Sequence, residues 1–257
     1  GGAALALAAA GVLLAGARKP TDKSARSADP APGAAATADP PQAPPKAKDD
    51  KGTKAPQVTV IAPPKDPPVV LYVLPSTGVR FGDYDRVRER LKEKGVGVET
   101  ASTDGGRSWP FEKLKGEPLP PGKQGAAVPI DKVLTPATKL SDYSAVVFAG
   151  HSVEEYVFDG RGCAAAGRAI DQMRAARRPV AGIGMGIAVL AYHKALRGKR
   201  AAWCDPLERE YPSLLTAEYA RWQDRGWESE DKVITATGGR EASAFADAIY
   251  AAIKNGP

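Results

Sequence analysis

The chain has 257 residues, 43% of them hydrophobic and 26% charged, which is enough for one sizeable core. Two cysteines and two histidines exclude a Cys/His zinc cluster, a disulfide-stapled scaffold and any mechanism that needs several histidines. The formal net charge of +6 suggests an anionic partner, and where that charge lies along the chain decides what it means.

Residues 3–17 (AALALAAAGVLLAGA) form an apolar run of about 15 residues, the length of a signal-peptide core and short of the ~20 that span a bilayer. The run closes on Ala15-Gly16-Ala17, which has the small-x-small form of a cleavage site. Residues 1–17 are therefore expected to be a truncated export signal. An uncleaved membrane anchor is the second choice and a buried Ala-rich helix the bland one. Export would place the protein in the periplasm or outside the cell. Residues 18–68 hold 12 of the 23 prolines and almost no large apolar side chains, so they cannot offset their ordering entropy and are expected to be a disordered Pro/Ala/Lys-rich tether. Nine Lys/Arg against six Asp/Glu give that segment +3, half the net charge. No basic helix or aromatic-interleaved patch takes up the rest, so nucleic acid is not expected as a partner. Attraction of the tether to an anionic envelope surface stays open.

From Val69 to Pro257 the pattern becomes short β-branched runs separated by amphipathic stretches. VVLYVL (69–74) predicts a buried strand, DYDRVRERLKEK (83–94) a helix with Val87 and Leu91 on one face, and VGVETA (96–101) a second strand. After a Gly/Pro-rich excursion over 104–126, AAVPIDKVL and AVVFAG (145–150) predict strands. GRAIDQMRAARR predicts a helix, PVAGIG (179–184) a strand, and IAVLAYHKALRG a helix ending at Gly198. KRAAWC, ARWQ and KVITATGG predict further strands, and EASAFADAIYAAIKNG the closing helix. The alternation implies one doubly wound α/β domain, a flavodoxin-like three-layer sandwich whose mostly parallel sheet is covered by helices on both faces. Ligands of such sheets bind at the carboxyl ends of the strands.

PVAGIGMGIAVLA turns from strand to helix through Gly182-Ile183-Gly184-Met185-Gly186. An elbow this tight needs glycine for backbone approach, and its generic form carries a nucleophile at the centre. Here the centre is Gly184, which has no side chain to attack with.

The blocks RLKEKGVGVETASTDGG (90–106), LSDYSAVVFAG (140–150) and RRPVAGIGMGIAVLA (177–191), with VVLYVL, VPIDKVL, ALRGKRAA and KVITATGGREASAFADAI, resemble the ThiJ/PfpI family of the class I glutamine-amidotransferase-like superfold. Relatives carry Ala-Ile-Cys-His-Gly at the elbow. The resemblance therefore puts the nucleophile position on Gly184 and its neighbouring histidine on Met185. It puts a partner carboxylate at Arg80, the oxyanion-hole turn at Ala149, Gly150 and His151, and a further histidine near Asp205. The glutaminase histidine near the C-terminus has no counterpart after His193. Fold blocks persist while the catalytic residue types are replaced. The resemblance thus implies a non-catalytic or strongly divergent member, a pseudoenzyme without a cofactor, whose pocket (Arg80, Gly150, His151, Gly184, Met185, Asp205) takes a small polar ligand or a protein partner. Family relatives also dimerise, which makes a homodimer an expectation.

The alternative is a hydrolase, amidase or glyoxalase-like enzyme with recruited residues. His151 follows a strand end near Glu154 and Glu155, where a carboxylate-assisted imidazole can form, or it is a solvent-facing loop residue. Cys204 ends KRAAWC, as a rim thiol or as a small buried strand residue. Cys163 opens a helix and is read as a passive helix-start residue, although an oxidising compartment would allow it to pair with Cys204. His193, in an Ala/Leu-rich helix, reads as a packed or snorkelling side chain. A dinucleotide site fails because G-x-G-x-x-G would need glycine where Ile187 stands.

Overall fold

The computed structural model describes residues 66–110, 127–158, 160–203, 209–217 and 220–256. The expected export signal, the tether up to residue 65, residues 111–125 of the Gly/Pro-rich segment, Cys204 and Asp205 lie outside the described residues. In chain order the described elements are β1 (Val69–Val73), β2 (Thr77–Val79), α1 (Phe81–Glu93), β3 (Gly97–Ser102), β4 (Gly106–Pro110), β5 (Val128–Ile130), β6 (Lys132–Val133), β7 (Ala145–Gly150), α2 (Glu154–Val157), α3 (Gly160–Ala175), β8 (Val180–Gly184), α4 (Gly186–Tyr192), β9 (Arg200–Ala202), α5 (Pro212–Ala217), β10 (Arg221–Gln223), β11 (Trp227–Glu230), β12 (Val233–Ala236) and α6 (Ala242–Lys254).

Seven strands form the central sheet in the order β11-β12-β8-β7-β1-β3-β6, parallel throughout except for β11 at one edge. Strand β1 pairs on both sides and is covered on both faces, which is why its sequence is continuously apolar rather than alternating. Its side chains still divide by the period of two. Leu71 and Val73 join Val146, Phe148 and Val180 in one core cluster, beneath α3 and α4. Val70 and Tyr72 join Val147, Ala181, Ile183 and Ile234 in the other, beneath α1 and α6. Helix α1 contributes Phe81, Tyr84, Val87 and Leu91 at helical spacing, and α6 contributes Phe245, Ala246 and Ile249. The doubly wound α/β domain with a mostly parallel sheet is the architecture expected from the sequence.

Several elements differ from that expectation. Helix α1 begins at Phe81, two residues early, so Asp83 lies in its first turn. AAVPIDKVL divides into β5 and β6, which belong to different sheets; β5 joins β2 and β4 in a small three-stranded one. Strand β4 forms inside the stretch read as an excursion. Strands β9 and β10 pair only with each other, off the central sheet. Helix α3 starts at Gly160, ahead of both GRAIDQMRAARR and the opening read at Cys163, and α4 ends at Tyr192, well before Gly198. The early stop at α4 is a left-handed cap: Lys194 has φ +59° while the Lys194 and Ala195 amides donate back to Ala191 and Leu190. Lysine at that position gives no sequence signal of a helix end. The same device at Arg177 (φ +52°) ends α3, with the Arg178 amide donating to the Met173 carbonyl. The hairpin β11–β12 turns through Asp231 and Lys232, both at positive φ, the geometry of a type I′ turn.

Candidate functional site

The carboxyl ends of β1, β7, β8 and β12 meet at the Gly182–Gly186 elbow. The register that pairs Gly150 of β7 with Gly184 of β8 brings the two strand ends side by side. A methyl group on Gly186 would lie 2.0 Å from the Phe148 carbonyl oxygen, so only glycine lets α4 start against β7. Gly184 has φ +58°, the left-handed conformation of an elbow centre, which glycine adopts without strain, and it carries no nucleophile.

The space a Gly184 side chain would enter is already filled. An added Cβ would lie 2.7 Å from Oδ2 of Asp83, whose side chain comes from the first turn of α1. Asp83 is only 4% exposed, and its Oδ1 lies 3.5 Å from where a Cβ on Gly238 would stand. The carboxylate is thus lodged between the elbow and the turn after β12. Beneath it, the Tyr72 hydroxyl donates to the main-chain carbonyl of Asp83. Burial first, and then the Asp83 charge, push that phenol well above its ordinary range.

This arrangement corrects the expected carboxylate position. Arg80 is exposed just before α1, and a carboxylate does face the elbow: it is Asp83, three residues on. Because α1 starts early, Asp83 falls on the helix face that packs on the sheet. Met185 needs correction as well. It is 2% exposed, and its side chain belongs to the core cluster with α3 and α4, not to a pocket.

Gly150 and His151 sit where the sequence placed them, at the end of β7, but the backbone groups there are engaged. The Gly150 carbonyl accepts the Met185 amide at 3.2 Å, and the His151 amide donates to the Gly78 carbonyl at 2.8 Å. The His151 N–H of the expected oxyanion turn therefore points to β2 rather than to a substrate. Its imidazole Nε2 lies 3.6 Å from Glu210 Oε1, a carboxylate other than the expected Glu154 and Glu155. Glu155 instead accepts from the Ser76 amide, the Ser76 hydroxyl and the Thr103 hydroxyl, each at 3.0 Å. Glu154 acts on Tyr211, whose hydroxyl is pushed up by burial and then by Glu154.

Cys163 and His193 form a separate cluster. Cys163 is a free thiol in the first turn of α3, with Sγ 4.0 Å from His193 Nε2. The same Nε2 is 3.0 Å from the Tyr156 carbonyl. A carbonyl only accepts, so Nε2 carries the proton and cannot take one from the thiol. Burial pushes the His193 pKa down, against the opposing pull of that carbonyl. His193 is a half-buried residue hydrogen-bonded to the backbone, which agrees with the packed one of the two expected alternatives. Among the described residues no three His, Cys, Asp or Glu side chains gather as a metal site.

Sequence reasoning missed Asp83, Glu210 and Gly238. Asp83 left one usable signal, an acidic residue opening the helix after the first strand. Glu210 left none, because it reaches His151 across nearly sixty residues of chain.

An open α/β sheet whose strand-to-helix elbow lies at the carboxyl edge, faced by a carboxylate from the helix after β1, defines a flavodoxin-like class of elbow proteins. Residues 71–252 match the model of the DJ-1/PfpI family, and the chain belongs to that family. Among solved structures, a ThiJ/PfpI domain protein from Brachyspira murdochii is similar over 73% of this chain and 96% of its own, at 19% identity and a TM-score of 0.61. A DJ-1 superfamily protein from Agrobacterium tumefaciens is similar over 73% and 90%, at 19% identity and 0.54. Drosophila melanogaster DJ-1beta is similar over 73% and 96%, at 16% identity and 0.53. At these identities the likeness shows the fold. No curated protein matches the sequence.

Proposed function

We propose that this chain is a binding member of the DJ-1/PfpI family that works without an elbow nucleophile. It holds a small polar ligand at the strand-end rim, outside the cytoplasm, where the export signal and tether read from its sequence would carry it. One observation carries the reading: the Asp83 carboxylate stands 2.7 Å from the place of a Gly184 Cβ, where an attacking side chain would begin. A buried carboxylate there, with the His151–Glu210 pair at the end of β7, favours ligands that bring hydrogen-bond donors or positive charge. Arg80, Gly150 and Gly184 complete the rim in this reading. A thermal-shift screen of amines, polyols and amino acids tests it. A stabilising ligand is expected for the parent chain and none for Asp83→Asn, which keeps the shape and removes the charge. A ligand bound equally by both would overturn the role of Asp83.

The His151–Glu210 contact favours a second reading, an enzyme in which a carboxylate-oriented imidazole moves a proton. Its nucleophile would be a recruited residue such as Cys204. Turnover of ester, amide or 2-oxoaldehyde substrates that is lost in His151→Ala and Cys204→Ala would establish it and displace the binding role.

A further inference from the structure

At the amino-terminal end of the sheet, opposite the elbow, a cleft of about 410 Å³ opens between Val180 and Val233, the first residues of β8 and β12. Among the described residues, Arg174, Arg177, Arg178, Lys199 and Lys232 line it, against a single carboxylate, Asp231. Three of the five cations are tied to the protein. Arg178 Nη1 donates to the carbonyls of Leu140, Ser141 and Tyr143 at 3.1, 2.7 and 2.8 Å. Lys232 Nζ donates to the carbonyls of Ala252 and Gly256 at the end of α6. Lys199 Nζ pairs with Asp231 at 2.8 Å, which engages the one carboxylate. Among the described residues, the exposed guanidinium groups of Arg174 and Arg177 have no partner.

Backbone conformation singles out the same place. Of the four non-glycine residues with positive φ among the described residues, three line this cleft: Arg177, Asp231 and Lys232, at +52°, +47° and +63°. Aspartate tolerates the left-handed region, and Lys232 has a structural task at the end of α6. Arg177 has neither excuse. It stands where glycine is the ordinary choice, beside other cations, and its side chain has no partner among the described residues.

We propose that this cleft binds a phosphate-bearing anion. Two free guanidinium forks match the oxygens of a phosphate dianion, and Lys199 and Lys232 deepen the positive potential. The apolar floor of Val180 and Val233, in a cleft larger than a bare phosphate needs, leaves room for an organic group attached to it. The phosphate can come from a soluble phosphomonoester or from a lipid headgroup, and both meet the same four side chains. The site is independent of the elbow, which lies about 13 Å away along the four residue steps of β8.

The test is an amide NMR titration of the full chain with inorganic phosphate and with pyrophosphate at constant ionic strength, with sodium chloride as control. A parallel sedimentation assay uses phosphatidylcholine vesicles with and without phosphatidic acid. Saturable shifts around Val180, Lys199 and Val233, or sedimentation with phosphatidic acid only, are expected. The response should weaken at least tenfold in Arg174→Ala/Arg177→Gly. Glycine relieves the positive φ of residue 177, so without phosphate this variant should melt no lower than the parent. Free phosphate binding without vesicle binding identifies a soluble ligand, and the reverse a headgroup. The proposal is overturned if no probe gives a saturable response. It is also overturned if the variant responds like the parent, or if it melts lower with its response unchanged, which would make these arginines simple complements to the carbonyl end of α3.

Discussion

Gly184 and Asp83 behave as one unit, and substitution at either tests the other. Installing Gly184→Cys places a β-carbon at φ +58° and 2.7 Å from a buried carboxylate oxygen. We expect a loss of about 1–3 kcal/mol in chemical denaturation, and no ester or 2-oxoaldehyde turnover above that of the parent. Gly184→Cys/Asp83→Ala should regain part of that stability, and the double-mutant cycle then measures the clash directly. A stable, active Gly184→Cys single variant would show that the carboxylate moves aside freely. His193 gives a pH prediction. Its folded pKa is held below the ordinary 6.5 by burial, so the unfolded chain takes up a proton first as the pH drops. The stability it contributes is complete above about 6.5 and declines as the pH falls from there toward the folded pKa. Thermal melts between about pH 7.5 and 5.5 should show that decline. His193→Gln, which can still donate to the Tyr156 carbonyl, should flatten the slope.

At the scale of elements, α1 carries the site as well as packing the sheet, and its seam with α6 sets where Asp83 stands. The seam has an apolar part, Val87 and Leu91 with Phe245, Ala246 and Ile249, and a surface part. In the surface part Arg90 makes a two-pronged contact with Asp247 at 2.9 and 3.1 Å, joined by Lys94 at 3.0 Å. Solvent-exposed pairs of this kind are screened by salt, whereas a buried phenyl ring is not. Phe245→Ala should therefore cost about 3–5 kcal/mol by chemical denaturation. Arg90→Ala should shift the midpoint only slightly, and less still at high salt. These helices were readable from periodicity, since Val87 and Leu91 mark the buried face without any tertiary information. Their ends were not. Lysine and arginine at the left-handed caps of α4 and α3 hide the stops, because only the closing hydrogen bonds distinguish them from further helical residues. The vacant elbow was equally legible from its glycines, but the residue that fills the vacancy depends on where α1 begins, a shift of two residues that alternation cannot resolve.

The whole molecule divides its charge chemistry between two ends of one sheet. Buried Asp83 and the His151–Glu210 pair lie at the carboxyl ends of the strands, and five cations surround the cleft at the amino ends. The residues that make this polarity lie between Asp83 and Lys232, outside the segment 18–68 with its +3 balance. A chain begun at Asp66 is expected to melt with the full-length protein in a calorimetric scan, since the described members of the two core clusters, from Val69 onward, already close both faces of the sheet. A drop in melting temperature would mean that the preceding segment packs on the domain.

The two rims of the central sheet also limit how copies of this protein can meet. On one side β6 is only two residues long, Lys132 and Val133. On the other, β11 is the four-residue segment Trp-Glu-Ser-Glu, whose Glu228 and Glu230 pair with Arg200, Arg221 and Arg225. A stub and a charged strand are poor templates for adding another strand. Among the described residues, self-association by extension of the central sheet is disfavoured at both borders, which leaves the helices, the loops and the two small sheets as the surfaces from which a dimer would be built.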